Sequence, residues 1–275
     1  MDKRNMLIRT LSGAVYIALI VASLLLGGWY TMVVFCLFAM ALLFEYYRIG
    51  YAIVGAKTNP AIPTAVAMVC VAMAFIGAMD NPFSVIVVGA WCMLVVLLVI
   101  LTTPFRGEGA VMKVALEVLG AVYAVVPFLI IAYTAIEESS RLLLLLMFIL
   151  LWANDTFAYL AGSMFGRHKM AESISPKKSW EGFAGGALGA IIIAIVSTYI
   201  YDFGLNLVWT ISFALTVVVS GTLGDLFESQ LKRTAGIKDS GRIMPGHGGL
   251  LDRLDSALFA IPAVSMLFMI KEFCF

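Results

Sequence analysis

Between Ser229 and Ser256 the chain gathers most of its reactive side chains: Ser229-Gln230-Leu231-Lys232-Arg233, Lys238-Asp239-Ser240-Gly241, Pro245-Gly246-His247-Gly248-Gly249 and Asp252-Arg253-Leu254-Asp255-Ser256. Lysine and arginine beside flexible glycine-rich backbone suit phosphate oxygens, because exposed N–H groups and cations can converge on them. Carboxylates immediately beyond, where a helix begins, suit a hard cation such as Mg2+ bridging those phosphates. Asp225 and Glu228 stand just upstream, and Asp155, Lys177 and Lys178 further back. Taken singly each signal is weak, since a basic loop is often a topology determinant and a glycine-rich turn often only a turn. Their combination points to cation-assisted phosphate chemistry.

The elements that must position these groups are apolar. The 275 residues are 62% hydrophobic and 13% charged, against roughly half apolar and about a quarter charged in a soluble domain. Apolar stretches long enough to cross a bilayer recur from Leu11 to Ile270, with no polar block long enough to fold alone. Hydropathy predicts an all-α integral membrane protein of nine helices, near 11–27, 29–48, 61–79, 83–103, 115–136, 142–163, 182–201, 206–227 and 252–270. The chain is expected to be a single polytopic domain, 1–275, with 1–140 mainly structural and 141–275 carrying the site. With the N-terminus cytoplasmic, 16 of the 18 Lys and Arg residues fall inside, and only Arg141 and Lys271 outside. That asymmetry supports the orientation and places the C-terminus outside. Lys3, Arg4 and Arg9 precede the first apolar stretch without a small-x-small cleavage site, so this stretch is expected to be a retained span.

On a helix, Gly221, Asp225, Glu228 and Lys232 recur at intervals of four, three and four and share one face. Asp155, Tyr159, Gly162 and Gly166 repeat the pattern along 142–163 and just beyond it. Such stripes also make packing seams, but carboxylates at one membrane depth usually face a bundle interior or a cavity. His247 is expected to contact phosphate or shape its loop in preference to moving a proton, and His168 to be a solvated loop residue. Glu45, in Glu45-Tyr46-Tyr47-Arg48 near a span end, is expected to anchor at the interface. Cys36, Cys70, Cys92 and Cys274 form no C-x-x-C pair and are expected to be apolar fillers.

The run from Ser229 to Ser256 closely resembles the signature of phosphatidate cytidylyltransferases (CDP-diacylglycerol synthases). Asn154-Asp155-Thr156-Phe157-Ala158-Tyr159, Gly162, Phe165-Gly166, Ser175-Pro176-Lys177-Lys178-Ser179-Trp180-Glu181-Gly182 and Gly224-Asp225 look like further blocks of that family. Met244 and Ser179 depart from it, standing where Ile, Leu or Phe and where Thr are commoner. The resemblance implies transfer of CMP from CTP to phosphatidic acid, giving CDP-diacylglycerol and pyrophosphate, in a homodimeric fold. It implies a bacterial inner-membrane enzyme with its site facing the cytoplasm, dependent on Mg2+ with a second cation left open, and no nucleic-acid partner.

Carried onto this chain, Asp225 and Asp252 would ligate the cation, with Asp255, Glu228 and Asp155 as ligands or their neighbours. Lys232, Arg233, Lys238, Asp239 and His247 would join Asp225 and Asp252 in the catalytic set. Lys177, Lys178, Ser229, Arg242, Gly246, Gly248, Gly249, Arg253 and Asn154 would bind substrate. Two other functions stay open. A CTP-dependent lipid kinase would use the same groups, and an anion transporter would need polar lining that the first four spans barely offer.

Overall fold

The computed structural model describes residues 3–57, 59–80 and 109–274, with single positions at 89, 90, 93, 97, 100, 101 and 107. Its helices are α1 (Lys3–Leu26), α2 (Gly28–Ile53), α3 (Ala61–Asp80), α4 (Ala110–Gly120), α5 (Val126–Thr134), α6 (Glu138–Phe165), α7 (Trp180–Ile200), α8 (Leu207–Thr234) and α9 (Leu251–Cys274). A π turn, Ala121–Val125, joins α4 to α5 just ahead of Pro127. Proline supplies no N–H there, so a local change of ladder is the expected response.

Among the described residues seven stretches are long and apolar enough to cross a membrane, and Ala61–Gly77 is a shorter apolar helix. The helical membrane class expected from hydropathy is therefore observed. Eight of the nine expected spans coincide with described helices, while 83–103, with Cys92 and Arg106, falls largely outside the described residues. One departure from an all-helical chain is an antiparallel hairpin of β1 (Lys169–Ala171) and β2 (Ser175–Ser179), in a segment expected to be plain loop.

The chain forms two compact units, 1–141 with 231–253, and 142–230 with 254–275. In the first, α2 packs against α1, α3, α4 and α5. Phe35, Leu42, Leu43 and Tyr46 on α2 are fully buried, and the Tyr46 and Tyr123 rings lie 5.7 Å apart. Gly120 lets them close, since a Cβ there would meet the Tyr46 and Tyr47 rings.

In the second unit the close approach is between α6 and α7. Gly182, Gly185, Gly186 and Gly189 recur at helical spacing on α7, facing Ala158, Ala161, Asn154 and Phe157 of α6, the small-residue seam of membrane helices. Helix α8 outlasts the expected 206–227 and ends with Lys232 and Arg233 in its last turn, where cations offset the helix dipole. Gly236, at φ 69°, closes it, with Gly236 N–H donating to Arg233 O and Ile237 N–H to Lys232 O.

A Cβ at Gly186 would stand 2.9 Å from the Asn154 backbone oxygen and collide with its side chain. Gly186→Ala is therefore expected to destabilise the detergent-solubilised protein by about 1–3 kcal/mol, read as a lower thermal midpoint. A raised midpoint, as alanine gives on an open helix face, would show that the two helices do not meet there.

Candidate functional site

In the second unit a cavity of about 270 Å3 is walled by α6, β1, β2, α7, α8 and Ser256 of α9. Its polar lining includes Asn154, Asp155, Lys177, Lys178, Thr222 and Asp225. Lys178 Nζ lies 2.7 Å from Asp225 Oδ2, with a third of the Asp225 side chain exposed. Ser229 Oγ donates to Asp225 Oδ1 at 3.2 Å, one helical turn away on α8.

The hairpin explains how the lysines arrive. Ser179 ends β2 and caps α7, accepting from Gly182 N–H at 3.2 Å; threonine could do the same, so this departure from the family pattern keeps the cap. Glu181, in the first turn of α7, accepts from the backbone N–H groups of Arg167 and His168 and pairs with His168 Nδ1 at 2.6 Å. Trp180 N–H donates to His168 O. His168 is solvated as expected, at 79% exposure, yet tied to the turn that launches the hairpin.

In the first unit the loop before α9 folds around Asp252. Its Oδ1 takes Lys232 Nζ at 2.7 Å, and its Oδ2 accepts from Ser240 N–H, Ser240 Oγ and Gly249 N–H at 2.8–2.9 Å. The Asp252 side chain is only 6% exposed and that of Lys232 12%. Gly248 has φ 88°, and a Cβ on it would sit 2.7 Å from Asp252 Oδ2, so both conformation and space call for glycine. Met244 is buried, with its N–H bonded to Gly248 O, so the other departure from the family pattern still supplies an apolar side chain.

His247 serves the loop. Its Nδ1 lies 2.7 Å from Ser12 Oγ, its carbonyl accepts from Arg253 Nη2 at 3.0 Å, and Tyr16 on α1 donates to Arg253 O. Arg233 Nη1 donates to Ile237 O. Lys238, Asp239 and Arg242 are exposed on the loop, and Gly246 is a positive-φ turn residue.

Sequence reasoning missed Glu45. It is no interfacial anchor: at 1% exposure, its Oε2 accepts from Leu251 N–H at 2.9 Å and Ser240 Oγ at 3.2 Å. The signal was its helical position among Leu42, Tyr46 and Ile49, all buried, which puts it on the inward face of α2.

Of the five carboxylates considered for a cation, Asp225 and Asp155 line the cavity, Asp252 is wrapped by loop donors, and Glu228 and Asp255 are buried. Among the described residues no three or more His, Cys, Asp or Glu side chains are grouped to hold a metal ion alone. Two carboxylates facing a cavity nevertheless fit Mg2+, which is usually held by one or two carboxylates together with substrate phosphates.

These observations define a helical membrane protein whose polar groups are organised around a charged cavity and a carboxylate-centred loop. The chain belongs to the cytidylyltransferase family, whose sequence profile it matches over residues 7–271. It is 48% identical over 126 residues to a phosphatidate cytidylyltransferase of Staphylococcus aureus (strain COL), covering 45% of this chain and 48% of that protein. Phosphatidate cytidylyltransferases of Staphylococcus haemolyticus and Staphylococcus epidermidis are 45% and 46% identical over 124 and 126 residues, again covering 45% of this chain and 48% of each relative. The matched chain thus spans about half the length of these relatives.

Burial, then the nearby Arg253 and Arg9, holds the His247 imidazole below its ordinary value near 6.5. As pH falls through that value the unfolded chain takes up the proton first, so stability should decline with acidity. His247→Gln is expected to flatten that part of a stability-against-pH curve; an unchanged slope would remove His247 as its source.

Proposed function

We propose that this chain is a membrane nucleotidyltransferase that moves CMP from CTP onto phosphatidic acid and releases pyrophosphate. The observation that carries this reading is the partly exposed Lys178–Asp225 pair in a cavity also lined by Lys177 and Asp155. Membership of the cytidylyltransferase family and the names of the staphylococcal relatives support the same activity.

A phosphate monoester has a second pKa near 6, so the lipid phosphate is largely a dianion at neutral pH and no general base is needed. Its oxygen attacks the α-phosphorus of CTP, the bond from that phosphorus to the bridging oxygen breaks, and pyrophosphate departs with the electron pair. The demand is to align two polyanions and offset the charge that develops on the leaving group. Lys177 and Lys178 are assigned to phosphate oxygens in the cavity. Arg233 at the end of α8 and Lys238 and Arg242 on the first unit's loop are cations suited to phosphate oxygens. Asp225 and Asp155 are assigned to Mg2+, which when bound would neutralise phosphate charge. Asp252 is assigned to holding Lys232 and the loop.

The sorting of Lys and Arg supports a cytoplasmic position for the segments 166–179 and 235–250. The bacterial relatives support a bacterial inner membrane.

The test is incubation of purified protein with phosphatidic acid, Mg2+ and CTP labelled at either the α- or the γ-phosphate. Label from the α-phosphate should enter the lipid; entry of γ-label instead would identify a lipid kinase. Asp225→Asn and Asp155→Asn, folded in detergent, should lower turnover by about 100-fold or more if each helps to hold the cation. Near-normal rates across a Mg2+ titration would remove those two assignments.

A further inference from the structure

Glu45 lies 195 residues before Ser240, yet the loop is moulded on its carboxylate. A Cβ on Gly241 would overlap Glu45 Oε1, and one on Gly249 would meet both Ser240 Oγ and the Glu45 carboxylate. Arg48, one turn further along α2, donates to Ser240 O, so α2 holds Ser240 through its side chain and its carbonyl. Ser240 in turn gives its N–H and its hydroxyl to Asp252, the partner of Lys232.

Stability alone is a poor account of this residue. Glu45 Oε1 is buried with no hydrogen-bond partner among the described residues. An unsatisfied buried carboxylate oxygen lowers stability, and an apolar side chain of similar size would fill the same space at less cost. What an apolar side chain lacks is a fixed acceptor for Ser240 and for the first N–H of α9.

We infer that Glu45 is a positioning residue for the phosphate-handling loop: by fixing Ser240 and Leu251 N–H it sets the Lys232–Asp252 pair, and with it the placement of Lys238 and Arg242. The inference rests on the CMP-transfer reading. Glu45 touches no substrate and acts through Ser240 and Asp252.

The test compares wild type, Glu45→Met, Ser240→Ala, the double variant and Gly241→Ala, each normalised to folded protein. Small displacements of positioning groups cost on the order of 100-fold in rate. In Glu45→Met, which fills the same space without an acceptor, kcat/KM for CTP should fall by about that factor, with part of the loss in KM, which loss of folded molecules does not move. Because the two residues share the Glu45–Ser240 contact, the double variant should lose less than the sum of the two single losses. Gly241→Ala, which displaces the carboxylate without removing it, should reproduce the defect, and serves alone if Glu45→Met does not fold. Unchanged KM and kcat, or additive losses in the double variant, would overturn the inference. If wild type itself labels no lipid, the CMP-transfer reading fails by itself. Hydrogen exchange over residues 238–249 then decides the positioning claim: faster exchange in Glu45→Met supports it, and wild-type exchange overturns it.

Discussion

Asp252 brings a negative charge to the first turn of α9, where water scarcely reaches it. A carboxylate in such a place must be met by donors or be strongly destabilising, and the loop of the first unit is shaped by that demand. Lys232 approaches from the end of α8, and Ser240 and Gly249 turn their backbone N–H groups inward. Gly248 takes a conformation and a closeness that no side chain would allow. The order of the polar run follows: a cation on a helix end, a hydroxyl, a glycine turn, then the carboxylate.

The second unit uses the same two residue types to different effect. Lys178 and Asp225 meet at 2.7 Å but remain partly open to water, and an exposed ion pair contributes little to stability. Such a pair can open toward an incoming anion without leaving a charge stranded in an apolar setting. Asp252, with four donors and almost no exposure, is built to stay as it is. Two lysine–carboxylate contacts of equal length thus separate into one wrapped by its loop and one partly open to water.

Much of this was legible in the residues themselves. Long apolar stretches gave the helices, because a bilayer fixes their length and composition, and the glycine-rich run marked the loop, because positive φ and close backbone approach need glycine. Lys178 and Asp225 were flagged as site residues, but their direct pairing depends on a hairpin that Ser175-Pro176-Lys177-Lys178-Ser179 does not announce by alternation. The fourfold ligation of Asp252 was equally hidden, since residue type alone does not separate a cation ligand from a loop anchor. Glu45 was misread because its partners stand 195 and 206 residues away, and the neighbouring tyrosines suggested a membrane boundary. Its burial follows from the inward stripe of α2, which only a full count of helical positions exposes.

Arg141 is one of the two cations that the charge sorting left over, and it has its own place. Its guanidinium packs on Gly27, between α1 and α2, and donates to the carbonyls of Leu24, Ala135 and Ile136. Those oxygens belong to helix ends where helical partners run out, so a single side chain ties the tail of the first helix to residues made more than a hundred positions later. During synthesis that contact can form only after Arg141 has been added, so it is a long-range clasp laid over two helices that already meet through Thr31 and Ser23.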